Sequence, residues 1–181
     1  MRPKSYTSRG IVLACRDLGE ADRIVIVFSE DLGRLTLIAK GVRRLKSKKR
    51  GHIEVFNLIS FHAISSKSLD IMTEVEVVAQ FNEIKTSLKR ISLGYYLVEV
   101  VSKITNEGEP NRDLFNLIFN FLKSLTKTSK LKKLRLDFVL DLLVLMGYWD
   151  GREKLANPDE KLSEIIERQI TSVRVGKKML K

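Results

Sequence analysis

The feature that most constrains this chain is a change in the spacing of its apolar residues near residue 81. Before it, short segments alternate in steps of two. Ile11, Leu13 and Cys15 are predicted to share one face of a first strand, Ile24, Ile26 and Phe28 one face of a second, and Leu35, Leu37 and Ala39 one face of a third. Asp17-Leu18-Gly19 and Glu30-Asp31-Leu32-Gly33 supply the turns between them. A fourth strand is expected within Val55–Ile64 and a fifth over Asp70–Val78, with a long loop, carrying a short helix, across Gly41–Gly51. Five short strands in about 75 residues are too many for a parallel α/β unit and suit a small closed barrel, which has no exposed edges.

After residue 81 the spacing turns to threes and fours. Ile84, Leu88, Ile91, Tyr95, Val98 and Val101 form one stripe, widened by Leu97, Val100 and Ile104, which predicts a helix central in a bundle. Asn106-Glu107-Gly108-Glu109-Pro110 ends it. Further helices are expected over Asp113–Leu125 and Leu131–Met146, the latter closed by Gly147. A last one is capped by Asn157, with Pro158 in its first turn and Glu160 three residues after the cap, and Leu162, Ile165, Ile166, Ile170 and Val173 on its apolar face. The reading is an α+β chain: a β-barrel domain over residues 1–80, then a helical domain over 81–181.

Few residues here carry catalytic chemistry. Cys15 is the single cysteine of the 181 residues, which excludes an intrachain disulfide or a cysteine-based zinc site and reads as a small apolar strand residue. His52 and His62 are the only histidines and have no third metal ligand nearby in sequence. Glu74 and Glu76, at i and i+2, suit a solvated strand face better than an acid–base pair. No serine sits in a glycine-flanked nucleophile elbow, and no glycine-rich phosphate loop is present. The reading is therefore non-enzymatic, with no cofactor and no metal. The N-terminus lacks a signal-peptide apolar stretch and no segment is long enough to span a bilayer, which predicts a soluble, cytoplasmic setting.

Charge is the informative feature. Thirty-three Lys and Arg stand against 22 Asp and Glu, a net charge of +11, which favours a polyanionic partner. Seven of the eleven residues from Lys40 to Arg50 are cationic (Lys40, Arg43, Arg44, Lys46, Lys48, Lys49, Arg50) and none is acidic. Such a run can be a solvated loop, but uncompensated like charges repel one another, and a barrel's inter-strand loop flanks its ligand face. The loop is read as a nucleic-acid site, extended by Arg16, Arg23 and Arg34 near strand ends. Each phosphate neutralised contributes about −0.7 to the log–log salt slope on single strands. Aromatic residues are sparse in the barrel half (Tyr6, Phe28, Phe56, Phe61, Phe81), so base stacking is expected to be minor. The expected binding is backbone-dominated, tolerant of single and double strands, and suited to annealing complementary strands. A second acid-free basic stretch, with Lys123, Lys127, Lys130, Lys132, Lys133 and Arg135, can be a solvated helix end or a rim for an acidic peptide with an apolar terminus; the tail adds Arg168, Arg174, Lys177, Lys178 and Lys181.

The residues also resemble a known family. Gly10-Ile11-Val12-Leu13, Arg16-Asp17-Leu18-Gly19-Glu20-Ala21-Asp22-Arg23, Phe28-Ser29-Glu30-Asp31-Leu32-Gly33-Arg34 and Ala39-Lys40-Gly41-Val42-Arg43-Arg44, with Ser47 and Arg50, are similar to the opening of the bacterial recombination mediator RecO. Tyr96-Leu97-Val98-Glu99, Leu114-Phe115, and Phe138 through Leu142-Leu143 to Gly147-Tyr148 resemble its helical domain. The resemblance implies an oligonucleotide-binding (OB-fold) barrel followed by a helical domain, a role in recombinational DNA repair, and strand annealing. It implies action with RecR to load RecA onto DNA coated by single-stranded-DNA-binding protein, whose acidic C-terminal tail meets the helical domain. The four-cysteine zinc module that many relatives carry after the equivalent of Gly147-Tyr148 is absent; Trp149–Asn157 leads almost directly into the last helix, which marks a short, zinc-free form and leaves RecR contact open. Two rival readings remain from the residues alone: an RNA-binding barrel protein of translation or RNA processing, and a protein held on an anionic membrane surface by its basic tail.

Overall fold

Five strands close into a barrel in the computed structural model of the chain, whose described residues are 4–47, 49, 51–152 and 155–166. They are β1 (Ser5–Leu18), β2 (Asp22–Ser29), β3 (Gly33–Ala39), β4 (Leu58–Ile64) and β5 (Asp70–Ala79). The order around the barrel is β1-β2-β3-β5-β4 and back to β1. Every neighbouring pair is antiparallel except β3 with β5, whose short parallel ladder joins Leu37 to Asp70 and Ile38 to Ile71. This is the closed five-stranded Greek-key barrel of the OB-fold. Gly41–Gly51 is a run of turns and holds no helix among its described residues.

The barrel interior is built from Val12, Val25, Val27, Leu35, Leu37, Ala39, Ile59, Phe61, Ala63, Met72 and Val75, joined by Val42 and Ile53 from the β3–β4 connection. On β3 the expected face is the interior one. On β2 it is the opposite one: Val25 and Val27 fill the barrel, Ile24 and Ile26 are half-buried, and Phe28 is buried outside that cluster. On β1 the register jumps from Val12↔Val27 to Ala14↔Ile26, leaving Leu13 as the extra residue of a β-bulge. The bulge reverses the alternation, so Val12 and Cys15, three apart, both meet the interior cluster while Ile11 and Leu13 are buried outside it. Alternation fails as a guide here because these strands are covered on both faces.

The short β3–β5 ladder leaves the first half of β3 without a strand partner on that side. The connection Thr105–Arg112, which belongs to the same compact unit as residues 1–80, lies along it. Glu107 bridges in parallel to Arg34, the Gly108 N–H donates to the Arg34 carbonyl at 2.9 Å, and the Thr36 N–H donates to Glu107 Oε1 at 3.1 Å. Gly33, at φ +71°, makes the approach possible: a Cβ there would lie 2.1 Å from the Glu109 carbonyl oxygen. Glu30, buried at the end of this ledge, is gripped from two sides, by Arg9 at 2.7 Å and Arg112 at 2.9 Å. The Arg112 fork, with Arg9 behind it, holds the Glu30 carboxyl below its ordinary value near 4.5 against the opposing effect of burial.

The second unit comprises residues 81–104 and 113–181. A short 3-10 helix, Asn82–Thr86, precedes α1 (Leu88–Ile104); α2 (Arg112–Lys127), α3 (Leu131–Leu145) and α4 (Pro158–Ile165) follow. Ser87 is extended, so Ile84 is out of phase with α1. The buried face of α1 is consequently Leu93, Tyr96, Leu97, Val98, Val100 and Val101; the expected Val98 and Val101 are on it, while the expected Leu88 and Tyr95 are exposed. α2 buries Leu114, Phe115, Ile118, Phe121, Leu122 and Leu125, a clean helical stripe. Phe121 meets Phe138 of α3 edge-on at 4.9 Å. Gly147, at φ +75°, terminates α3 as expected. Asn157 stands at the N-cap of α4 with Pro158 after it, but its side chain makes no capping bond. Leu162 and Ile166 are buried; Ile170 and Val173 lie outside the described residues.

Candidate nucleic-acid interface

The cationic β3–β4 connection is held at both ends by apolar anchors. Val42 and Ile53 are fully buried in the barrel interior. At its far end Phe56 takes φ +79°, a costly conformation for an aromatic residue, and is fixed by its N–H to the Val12 carbonyl at 2.9 Å, beside the β1 bulge. Between the anchors, two successive turns (Arg44 N–H to Gly41 O at 3.2 Å, Ser47 N–H to Arg44 O at 2.9 Å) shape the tip.

The arginines that sequence reasoning placed in the site divide into two groups. Arg43 is tied to the β1–β2 turn: its side chain donates to the Gly19 carbonyl at 2.7 Å and lies 3.4 Å from Asp17 Oδ2, and its N–H bonds the Ala21 carbonyl. Arg23 pairs with the other Asp17 oxygen at 3.1 Å and reaches the Ile53 carbonyl at 3.4 Å. Arg34 donates to the Thr105 carbonyl at 3.1 Å. These three hold the fold: the Asp17 carboxylate and the Gly19, Ala21 and Ile53 carbonyls secure the loop to the barrel, and Arg34 secures the Thr105–Arg112 connection. Lys40, Arg44 and Lys46, by contrast, are exposed and make no ion pair among the described residues, as does Arg16 on the outer part of β1. Lys48 and Arg50 lie outside the described residues.

Lys49 lines a shallow cavity of about 420 Å³ with Thr7, His52, His62, Glu74 and Glu76 on β1, β4, β5 and the loop. His52 Nδ1 meets the Val75 carbonyl at 2.9 Å and His62 Nδ1 the Thr73 hydroxyl at 2.6 Å, so both rings are held by the fold. Among the described residues no three His, Cys, Asp or Glu side chains converge to hold a metal ion. Burial raises the Cys15 thiol to about 11, opposed by nearby Arg23, which keeps it protonated near neutral pH. The aromatic rings of residues 1–80 are withdrawn: Phe28, Phe56 and Phe61 are buried, and half-buried Tyr6 donates to Asp70 at 2.8 Å. Phe81, in the second unit, is buried as well.

The second basic stretch divides in the same way. Lys130, Lys132 and Lys133 line one cavity of about 420 Å³ with Ser129 and Leu131, and Lys89 of α1 completes it. Lys89 was not legible as a member, since only tertiary packing sets the start of α1 beside the start of α3. Neither first turn carries an acid, so two positive helix ends add to four ammonium groups. Lys133 also pairs with Asp137 one turn on, at 2.7 Å. Lys123 and Lys127 are exposed on the last turns of α2. Arg135 is committed elsewhere, gripping Asp159 of α4 at 2.5 and 3.1 Å with its guanidinium 5.8 Å from the Tyr96 ring. Tyr96 is buried, which raises its phenol, and its hydroxyl has no hydrogen-bond partner among the described residues. Arg168, Arg174, Lys177, Lys178 and Lys181 lie outside the described residues. Among the described residues no helix is long and apolar enough to cross a membrane.

Comparison with known proteins agrees with this architecture. The family model for the N-terminal part of recombination protein O matches residues 1–81, and that for its C-terminal part matches residues 85–149. The DNA repair protein RecO of Pelotomaculum thermopropionicum is 36% identical over 154 residues, 85% of this chain and 60% of that protein. The RecO proteins of Roseiflexus sp. and Rubrobacter xylanophilus are 31% and 35% identical, over 82% and 79% of this chain. The chain spans 52–60% of the length of these three relatives. With both parts of the family matched in order on a barrel followed by helices, the chain belongs to the RecO family of DNA repair proteins.

Proposed function

We propose that this chain is a non-catalytic mediator of DNA repair and recombination. It grips single- and double-stranded DNA through phosphates, anneals complementary strands, and works with RecR to bring RecA onto DNA covered by single-stranded-DNA-binding protein. The observation that carries the reading is the β3–β4 connection: Lys40 at its start and Arg44 and Lys46 at its tip are exposed without carboxylate partners among the described residues, on a loop anchored by Val42 and Ile53. A loop held in place loses little conformational entropy when it binds, so its charges remain available for phosphate contact. With no barrel ring available for stacking, such contact is largely blind to sequence, which suits annealing. The cavity of Lys89, Lys130, Lys132 and Lys133 supports a second role, capture of the acidic tail of single-stranded-DNA-binding protein, by matching charge.

The test is annealing of complementary oligonucleotides across a salt series. The triple variant Lys40→Ala, Arg44→Ala, Lys46→Ala is expected to slow annealing and lower the salt slope for single strands by about 2, from three lost contacts. An unchanged rate and slope overturn the placement of the site. Competition by matched RNA that displaces DNA overturns the DNA assignment in favour of RNA.

A further inference from the structure

Leu45 is 93% exposed, far beyond the other exposed large apolar residues among those described, which range from 40% to 66%. A solitary exposed leucine is ordinary on a protein surface. This one is not ordinarily placed. It sits between Arg44 and Lys46, the two cations at the loop tip that lack carboxylate partners among the described residues, inside the second of the two turns that shape the tip. Burying such a side chain is worth about 2 kcal/mol, so its outward position asks for a reason. The loop supplies one: Val42 and Ile53 already occupy the barrel interior, and Arg43 is bonded to Gly19 and Asp17, so the tip is held with its leucine outward.

Among the described residues of this unit the other exposed large apolar side chains, Leu18, Ile64 and Val78, are about half covered and lie on β1, β4 and β5, outside the cationic loop. Its aromatic rings are buried or, for Tyr6, bonded to Asp70. Apolar wedges, leucine among them, enter between stacked bases when flanking cations hold the adjacent phosphates. We infer that Leu45 is such a wedge, inserting between neighbouring bases while Arg44 and Lys46 hold the phosphates on either side. The inference rests on the reading that this loop binds nucleic acid, and it adds a base-contacting residue to an otherwise electrostatic grip. Locally parted bases present their pairing edges to an incoming strand, which gives annealing a physical step beyond charge neutralisation. An anionic bilayer is the less suitable target, because one leucine buries too little apolar surface for stable insertion whereas a single base step needs only one wedge.

The experiment uses the full chain and a single-stranded oligonucleotide carrying 2-aminopurine, whose fluorescence rises when it unstacks. Wild type is expected to raise the fluorescence on binding. Leu45→Ala is expected to abolish most of the rise and weaken binding about three- to ten-fold, leaving the salt slope unchanged because no charge is removed. Leu45→Lys separates wedge from charge: it is expected to steepen the salt slope yet still lose the rise. A fluorescence rise equal to wild type in both variants overturns the wedge while leaving the phosphate grip intact. Failure of the wild type to bind DNA overturns the wedge and the wider reading together. Leu45-dependent binding to vesicles containing phosphatidylserine, with no Leu45 effect on DNA, overturns the wedge in favour of a membrane surface.

Discussion

The β3–β4 connection of the barrel and the α2–α3 region of the helical unit are both dense in positive charge, yet in each the arginines and lysines have separated by task. In the barrel, Arg23 and Arg43 share Asp17 and Arg34 takes a backbone carbonyl, while Lys40 and Lys46 face solvent. In the helical unit, Arg135 grips Asp159, while Lys89, Lys130, Lys132 and Lys133 ring an open cavity. A planar guanidinium presents a fork that matches a carboxylate in two bonds and tolerates partial burial; an ammonium is compact and strongly hydrated, and stays outside. Arg16 and Arg44 depart from the pattern, both exposed and without an ion pair among the described residues, and Lys133 partly so, through Asp137. A charge count over sequence therefore overstates the surface available to a polyanion, and overstates it chiefly through arginine.

Breaking the structural arginine of the helical unit should have the largest effect. Asp159→Ala leaves the guanidinium of Arg135, with 21% of its side chain exposed, without its carboxylate and is expected to lower the unfolding free energy by about 2–3 kcal/mol in urea denaturation. Unchanged stability would show Arg135 to be as free as the lysines around it.

The next contrast sharpens the division within two adjacent residues. Arg43→Ala is expected to lower the melting temperature, and Arg44→Ala to leave it within error while weakening DNA binding and reducing the salt slope by about 0.7. Equal effects of the two on binding would erase the distinction between these adjacent arginines.

The smallest effect concerns pH. Because Glu30 is held below its ordinary value near 4.5, its grip on Arg112 and Arg9 stabilises the fold above that pH and is lost as pH falls through its folded value. Glu30→Gln is therefore expected to melt below wild type at pH 7, with the gap closing in scans taken progressively below pH 4.5. A gap that persists undiminished in acid would mean that the ledge is held by shape and not by charge.

Much of the fold was legible in the sequence. Turn residues at Gly19 and Gly33, β-rich segments between turn signals, and the α2 stripe from Leu114 to Leu125 are local signals, and local signals survive in sequence. The faces of β1 and β2 were not, because a single bulged residue, Leu13, reverses alternation and because strands covered on both sides carry apolar residues at odd and even positions alike. The α1 stripe slipped for a related reason: an extended Ser87 breaks phase between Ile84 and the helix. Of the site, the cationic loop was visible as composition, whereas Lys89 was invisible as a neighbour of Lys130 across some forty positions.

By itself, then, the order of residues determined that a small barrel precedes a helical bundle, that cysteine- and histidine-based chemistry has little material, and that positive charge is concentrated in the β3–β4 connection. Those properties depend on spacing and on which residue types exist. Tertiary structure alone decided which cations remain outward, that Thr105–Arg112 completes the open side of β3, and that Leu45 stands apart from the core. Each of those depends on who meets whom across the chain: a carboxylate such as Asp17 can neutralise an arginine only where folding brings them within bonding distance, and no local pattern records that meeting.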